Sequence, residues 1–242
     1  MYKSALFIIG IIGILVCSCT APNNDEYDPD KSKTNRFKGN PLLKPYFYPL
    51  ESVPKIYIYR DKINGLLEQF HRVYTLTDNE GEHLIVERYN MKGELYEALN
   101  INTDSLNVMD HMIVNQKGEK TKAILYKGDI FPVREKQASV FKSEWIWNDT
   151  TSVHRTVKRT LLKSNALMEV LGKKIPSMHF QDDMEFTYHN AITKDRKLFI
   201  EKQKTVYGKG IGLVEWEGTN NKVHFQLERI ISQEEWINMF KR

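Results

Sequence analysis

The chain has almost no cysteine. Of its 242 residues only Cys17 and Cys19 carry a thiol, and both stand near the amino terminus. The 223 residues after Cys19 therefore have no disulfide, no thiolate zinc ligand and no cysteine nucleophile. Proline is scarce over most of the length too: six of the eight lie between residues 20 and 54. No single charge sign dominates, since 35 basic residues face 31 acidic ones. The basic residues are interspersed with acids rather than grouped, which speaks against nucleic-acid binding. Long apolar runs are also missing. The longest, Ala5 to Val16, has twelve residues, whereas a membrane-spanning helix needs about 20.

That run is of the right length for the core of a secretory signal. It follows a short start bearing Lys3 and ends in Val16-Cys17-Ser18-Cys19. The ending resembles the lipobox of bacterial lipoproteins: an aliphatic residue, a small or aliphatic one, a small one, then cysteine. Cys17 fits less well, because Val16 would occupy the place that wants a small residue. The resemblance implies a signal peptide over residues 1–18, cleavage between Ser18 and Cys19, and diacylglyceryl attachment to the Cys19 sulfur, with further acylation such as palmitate. Two or three acyl chains anchor stably where one is marginal, at roughly 0.8 kcal/mol per buried methylene. The resemblance also bears on address. Asp directly after the lipidated cysteine is an inner-membrane retention signal in enterobacteria; Thr20 stands there, so the outer membrane is expected, on its periplasmic face or at the cell surface.

Residues 19–54 read as a tether and arm. The stretch opens acidic (Asp25, Glu26, Asp28, Asp30), then turns basic, and cannot bury a core. If flexible, residues 20–40 span about 25 Å. Its end is different: Tyr46-Phe47-Tyr48 lies among Pro41, Pro45 and Pro49. These aromatics either pack an extended arm onto the domain or anchor a partner.

From residue 55 to 242 the pattern is that of an antiparallel β domain. Ile56 to Tyr59, Val73 to Thr77, His83 to Tyr89 and Leu95 to Ile101 are β-branched and aromatic runs, divided by turn signals such as Asp78-Asn79-Glu80-Gly81 and Met91-Lys92-Gly93-Glu94. His111 to Val114 and Lys122 to Tyr126 form a hairpin across Gly118. Val140 to Trp147, Val153 to Leu162, Met184 to His189, Lys197 to Tyr207, Leu213 to Glu217 and Val223 to Ile231 continue the series. Ala166 to Gly172 fits a short helix or a strand. A helix closes the chain over residues 232–241: Ser232 and Glu235 form a capping box, and Trp236, Met239 and Phe240 a stripe expected to close one end of the sheet's core. The expected architecture is a mainly β, strongly curved sheet or open half-barrel with a short C-terminal helix. In length, succession of hairpins and the glycine-rich segment Tyr207 to Trp216, it is loosely similar to the LolA and LolB carriers, whose curved sheets wrap an apolar cavity.

Chemical motifs are few. Gly208-Lys209-Gly210-Ile211-Gly212 has the spacing of a phosphate loop, but such a loop must open a helix, and here Leu213-Val214-Glu215-Trp216 reads as strand. Its glycines are expected to serve backbone geometry. His83-Leu84-Ile85-Val86-Glu87-Arg88 and His224-Phe225-Gln226-Leu227-Glu228-Arg229 share a pattern, with His and Glu about 13 Å apart on a strand, too far for one metal. Neither a serine-hydrolase elbow nor a zinc-protease helix is present. No catalytic residue, metal site or cofactor is expected. The leading expectation is a non-enzymatic envelope lipoprotein that binds a partner protein or scaffolds a complex, through Tyr46, Phe47, Tyr48, Trp145, Trp147 or Trp236. The alternatives are a periplasmic carrier of lipid or another apolar ligand and, more remotely, an envelope hydrolase.

Overall fold

Alternation of apolar and polar residues begins at Lys55 and drives the chain into thirteen strands. The computed structural model describes residues 42–63, 65, 67–132, 137–219 and 222–241. Residues 1–41, which include Cys17, Ser18, Cys19 and the stretches read from sequence as signal and tether, lie outside them. The first strands are β1 (Lys55–Asp61), β2 (Glu68–Asp78), β3 (Gly81–Tyr89), β4 (Leu95–Asn102), β5 (Val108–Val114), β6 (Lys120–Lys122) and β7 (Ile124–Gly128). Then follow β8 (Ser139–Asn148), β9 (Thr151–Val170), β10 (Lys173–Asn190), β11 (Arg196–Gly208), β12 (Gly212–Gly218) and β13 (His224–Ser232), before the single helix α1 (Gln233–Phe240).

All thirteen join one antiparallel sheet in the order β6-β5-β4-β3-β2-β1-β13-β12-β11-β10-β9-β8-β7. The two ends of that order are consecutive in the chain, separated only by Ala123. β6 pairs with β5 and β7 pairs with β8. Residues 120–128 are thus one bent strand that changes neighbours at Ala123. Counted so, the ring has twelve strands, an even number, as an all-antiparallel ring requires. An isolated Asn107–Asp129 bridge and the Gln116 N–H donating to Trp147 O (3.0 Å) help to close the seam. The half-barrel expected from sequence is a nearly closed barrel.

Twelve strands leave a wider interior than eight, whose side chains suffice to fill it. Here the arm supplies additional filling. Leu43, Tyr46, Phe47 and Tyr48 are buried in the main core with Tyr57, Tyr59, Phe131, Phe180, Tyr207 and Trp216. The arm is pinned by the Gly210 N–H donating to Pro45 O (2.8 Å) and the Thr75 N–H donating to Glu51 O (2.8 Å). Gly212 receives the Tyr48 ring: a Cβ there would lie 2.4 Å from a ring carbon. Gly212 also has φ +99°, and the register shifts between Val206 and Tyr207. The glycines of 208–212 therefore serve a turn and a close approach, and strand β12 follows them.

Two elements differ from the sequence expectation. The ambiguous stretch 166–172 is strand to Val170, then a tight turn in which Leu171 (φ 50°) and Gly172 (φ 74°) both have positive φ, as a type I′ hairpin turn demands. The helix does form its capping box, with Ser232 Oγ accepting from the Glu235 N–H at 3.2 Å. Its stripe, however, covers the outer face of the barrel rather than an end. β1 is apolar on both sides: Tyr57 and Tyr59 face the main core, while Ile56 and Ile58, with Phe70 of β2, form a separate cluster against Trp236. Leaving that outer cluster in water would forfeit roughly 1.5–3 kcal/mol per large side chain, so the helix lies there. Phe240 meets Phe70 edge to face at 5.6 Å.

Candidate functional site

Alternate residues of a strand share a face. On β9 that rule puts Arg155, Val157 and Arg159 together on the inner surface, lining the interior with Arg88 of β3. Three guanidinium groups inside a barrel need anions. Two carboxylates meet them. Arg159 makes a fork-to-fork pair with its register partner Asp182 on β10: Nε to Oδ1 and Nη2 to Oδ2, both 2.7 Å. Its Nη1 donates to Ile130 O (3.2 Å) and to the Tyr207 hydroxyl (3.1 Å), and Thr205 Oγ1 donates to Asp182 Oδ2 (3.1 Å). The guanidinium carbon lies 5.3–5.4 Å from the ring centres of Phe131, Phe180 and Tyr207. Arg159 is thereby committed.

Glu97 on β4 is shared. Arg88 Nη1 donates to Oε2 at 2.6 Å, while Arg155 Nη1 (2.8 Å) and His111 Nε2 (3.0 Å) reach Oε1. Burial alone would raise this carboxyl's pKa. The charges of Arg88 and Arg155 and the His111 contact outweigh burial and hold it well below the usual range. His71, deep beside Tyr59 and stacked on Trp216 at 5.7 Å, is pushed the other way from protonation: burial first, then the Arg88 charge, lower its pKa well below the usual imidazole value. Two adjoining chambers of about 80 and 240 Å³ remain, sharing Arg88, Arg155, Val157, Arg159, Tyr207 and Leu213 as walls.

A second feature lies at one end of the barrel, where the inner face of the sheet continues: Phe186 and Tyr188 share a strand face with Asp182, and Arg155 lies 5.6 Å over the Phe186 ring. β9, β10 and β11 outrun their neighbours. β11 pairs with β12 only from Gln203 to Gly208, whereas it pairs with β10 along the whole run from Arg196. Among the described residues, Arg196–Glu201 has a strand on one side only. Its centre, Leu198-Phe199-Ile200, is 52–62% exposed. Beside it runs an open groove of about 610 Å³, lined by Phe186, Tyr188 and Phe199 with Asp195, Lys197 and Glu201. The Tyr188 and Phe199 rings meet edge to face at 5.4 Å.

The aromatic residues singled out in the sequence fall into three places. Tyr46, Phe47 and Tyr48 are buried in the main core, so the packing alternative describes them. Trp145 is buried in a second cluster with Ile113, Ala123 and Val153, against which Trp147, Phe186 and Tyr188 pack. Trp145 and Trp147 thus share a cluster with two groove residues. Trp236 stands apart, on the outer face. Sequence reasoning passed over Leu198-Phe199-Ile200. Three adjacent apolar residues between Lys197 and Glu201 mark a strand apolar on both faces, and that was the available signal. It also passed over the inward arginines. Among the described residues no group of three or more His, Cys, Asp or Glu side chains could hold a metal, and no helix is long and apolar enough to cross a membrane.

No protein-family model matches the chain, and no curated protein sequence does. Two solved structures resemble it in fold. One is a predicted lipoprotein from Parabacteroides distasonis, 11% identical, with a TM-score of 0.48 over 77% of this chain and 98% of its own. The other, from Bacteroides fragilis, is a predicted exported protein with a YmcC-like fold, also 11% identical, with a TM-score of 0.45 over 77% of this chain and 99% of its own.

Proposed function

We propose that the chain is a non-catalytic envelope lipoprotein, lipidated at Cys19 on the outer membrane, whose barrel captures an extended segment of a partner protein along the open edge of β11. The observation that carries this reading is the Arg196–Glu201 edge. A strand edge presents a row of unpaired N–H and C=O groups, and proteins normally blunt such edges with charge, proline or a covering element. Here charges sit only at the ends, and Leu198-Phe199-Ile200 is left apolar. A strand added to that edge would satisfy the backbone groups, while the neighbouring aromatic groove would receive alternate side chains, as in β-augmentation. The carrier alternative calls for a continuous apolar cavity. The interior has small chambers walled by three arginines, an expensive setting for an acyl chain.

The test is affinity purification of the full chain from detergent-solubilised envelopes, comparing wild type with a Leu198→Lys, Ile200→Lys double variant. A stoichiometric protein should accompany wild type and be lost from the variant. Recovery of lipid without protein would favour the carrier reading instead. The anchor has its own check: Cys19→Ala should abolish labelling by a palmitate analogue, and labelling that persists through Cys17 would move the cleavage site by two residues.

A further inference from the structure

The interior arginines are not all satisfied by the acids around them. The inner wall carries Arg88, Arg155 and Arg159 against Glu97 and Asp182, and Asp129 at the margin is matched by Lys127 at 3.3 Å. Three cations face two committed anions, which leaves one formal positive charge. Its place can be narrowed. Arg159 spends its fork on Asp182 and its remaining terminal nitrogen on Ile130 O and Tyr207. Arg88 and Arg155 each give one terminal nitrogen to the same carboxylate, and the Nε of both is buried with no hydrogen-bond partner. A guanidinium has five donors in a fixed fork. Two such forks, each engaged at one tip, therefore flank the chambers.

The two Nε atoms are themselves closed off, so the second terminal nitrogens carry the open surface, and Arg88 shows where it looks. It lies deep within the barrel, where the Glu97 carboxylate and neighbouring tyrosines outweigh burial and hold its pKa above the usual value, yet 26% of its side chain is open. It lines both chambers, so that open surface faces them. Arg155 lines both as well, with 19% of its side chain open. A water needs about 10–15 Å³ of such space, so the chambers of about 80 and 240 Å³ admit a small ion with part of its hydration.

We propose that the chambers beside Arg88 and Arg155 bind a small oxyanion of the phosphate class, held between the free faces of the two forks. Guanidinium forks match phosphate and carboxylate oxygens in pairs, and such charge-assisted bonds are among the strongest available to a protein. Phosphate is preferred to a monocarboxylate because its oxygens point in four directions and reach both forks at once. Glu97 positions the forks by holding one tip of each.

The test is calorimetric titration of the lipid-free mature chain with inorganic phosphate, repeated with vesicles containing phosphatidic acid. Saturable phosphate binding, weakened at least roughly tenfold in Arg155→Lys, supports a free anion. Binding to the vesicles alone, lost in the same variant, supports a lipid phosphate group as the source. Arg155→Lys keeps the charge and so guards against simple unfolding. A second variant separates site from scaffold. Glu97→Gln removes the charge that both forks share and one of its two acceptor oxygens, so its melting temperature should be restored by millimolar phosphate more than wild type's is raised. No saturable binding of either probe, binding unchanged in Arg155→Lys, or a Glu97→Gln protein indifferent to phosphate would overturn the proposal.

Discussion

Arg159 and Asp182 face each other as register partners on β9 and β10, and they meet inside the barrel through two parallel hydrogen bonds of 2.7 Å. Asp182 is buried, with 3% of its side chain exposed, and Arg159 is mostly so, with 13%. Breaking a buried pair from one side strands the other charge and costs about 3–5 kcal/mol. Asp182→Ala should lose that much in urea unfolding. The double variant Arg159→Met, Asp182→Leu should lose less than Asp182→Ala alone, because it buries no unpaired charge. A double variant no more stable than the single would show that Arg159 contributes chiefly through its contacts to Ile130 and Tyr207.

Closure of the ring depends on a residue without a side chain. A Cβ at Gly128 would lie 2.2 Å from the Val108 carbonyl oxygen, a contact that must push β7 away from β5. Gly128→Ala should destabilise the protein by about 1–3 kcal/mol, the usual cost of overpacking. Amide exchange should accelerate around Val108 and Asp129 while the distant β1–β2 pairing stays protected.

His71 predicts an acid-side loss of stability. Its pKa is well below the ordinary value in the folded protein, by burial and by the Arg88 charge, and returns to about 6.5 on unfolding. The unfolded chain therefore takes up the proton first. Stability from this group is complete above about pH 6.5 and falls as the pH drops below it, by up to about 1.4 kcal/mol per unit. His179, also lowered by burial and by Lys163, adds in the same direction. His71→Gln should flatten the stability profile between about pH 6.5 and 5 relative to wild type; an unchanged slope would mean that His71 does not contribute to the acid-side loss.

The β11 edge should be dispensable for folding. Leu198 and Ile200 are 58% and 62% exposed, so the Leu198→Lys, Ile200→Lys variant should stay within about 0.5 kcal/mol of wild type per site. Denaturant midpoints check this. A large loss would mean that the two residues support the barrel and that loss of a partner in the variant is secondary.

Much of the barrel was legible in the sequence because its signals are local. Gly93 and Gly118 mark turns by positive φ, the strand runs carry β-branched and aromatic residues, and the box of Ser232 and Glu235 needs only four residues to form. The full length of β9 was not legible. Its distal part, exposed at Leu162 and Leu167, lacks the buried alternation that identifies a strand, and the turn rests on Leu171, a residue that rarely takes positive φ. The placement of α1 was missed for a related reason: Ile56-Tyr57-Ile58-Tyr59 reads as a strand buried on both faces without saying what covers each. The inner arginines were hidden by topology. Arg155 and Glu97 are 58 residues apart and meet across the interior, which no spacing announces.

Capture of a partner along β11 can be followed in living cells by photocrosslinking. A photoreactive residue placed in turn at Leu198, Phe199 and Ile200, with Met91 on the β3–β4 turn as an exposed control, should give one and the same protein adduct from all three β11 positions and none from the control. Absence of any adduct at the three positions, or the same adduct from Met91, would mean that β11 captures no partner.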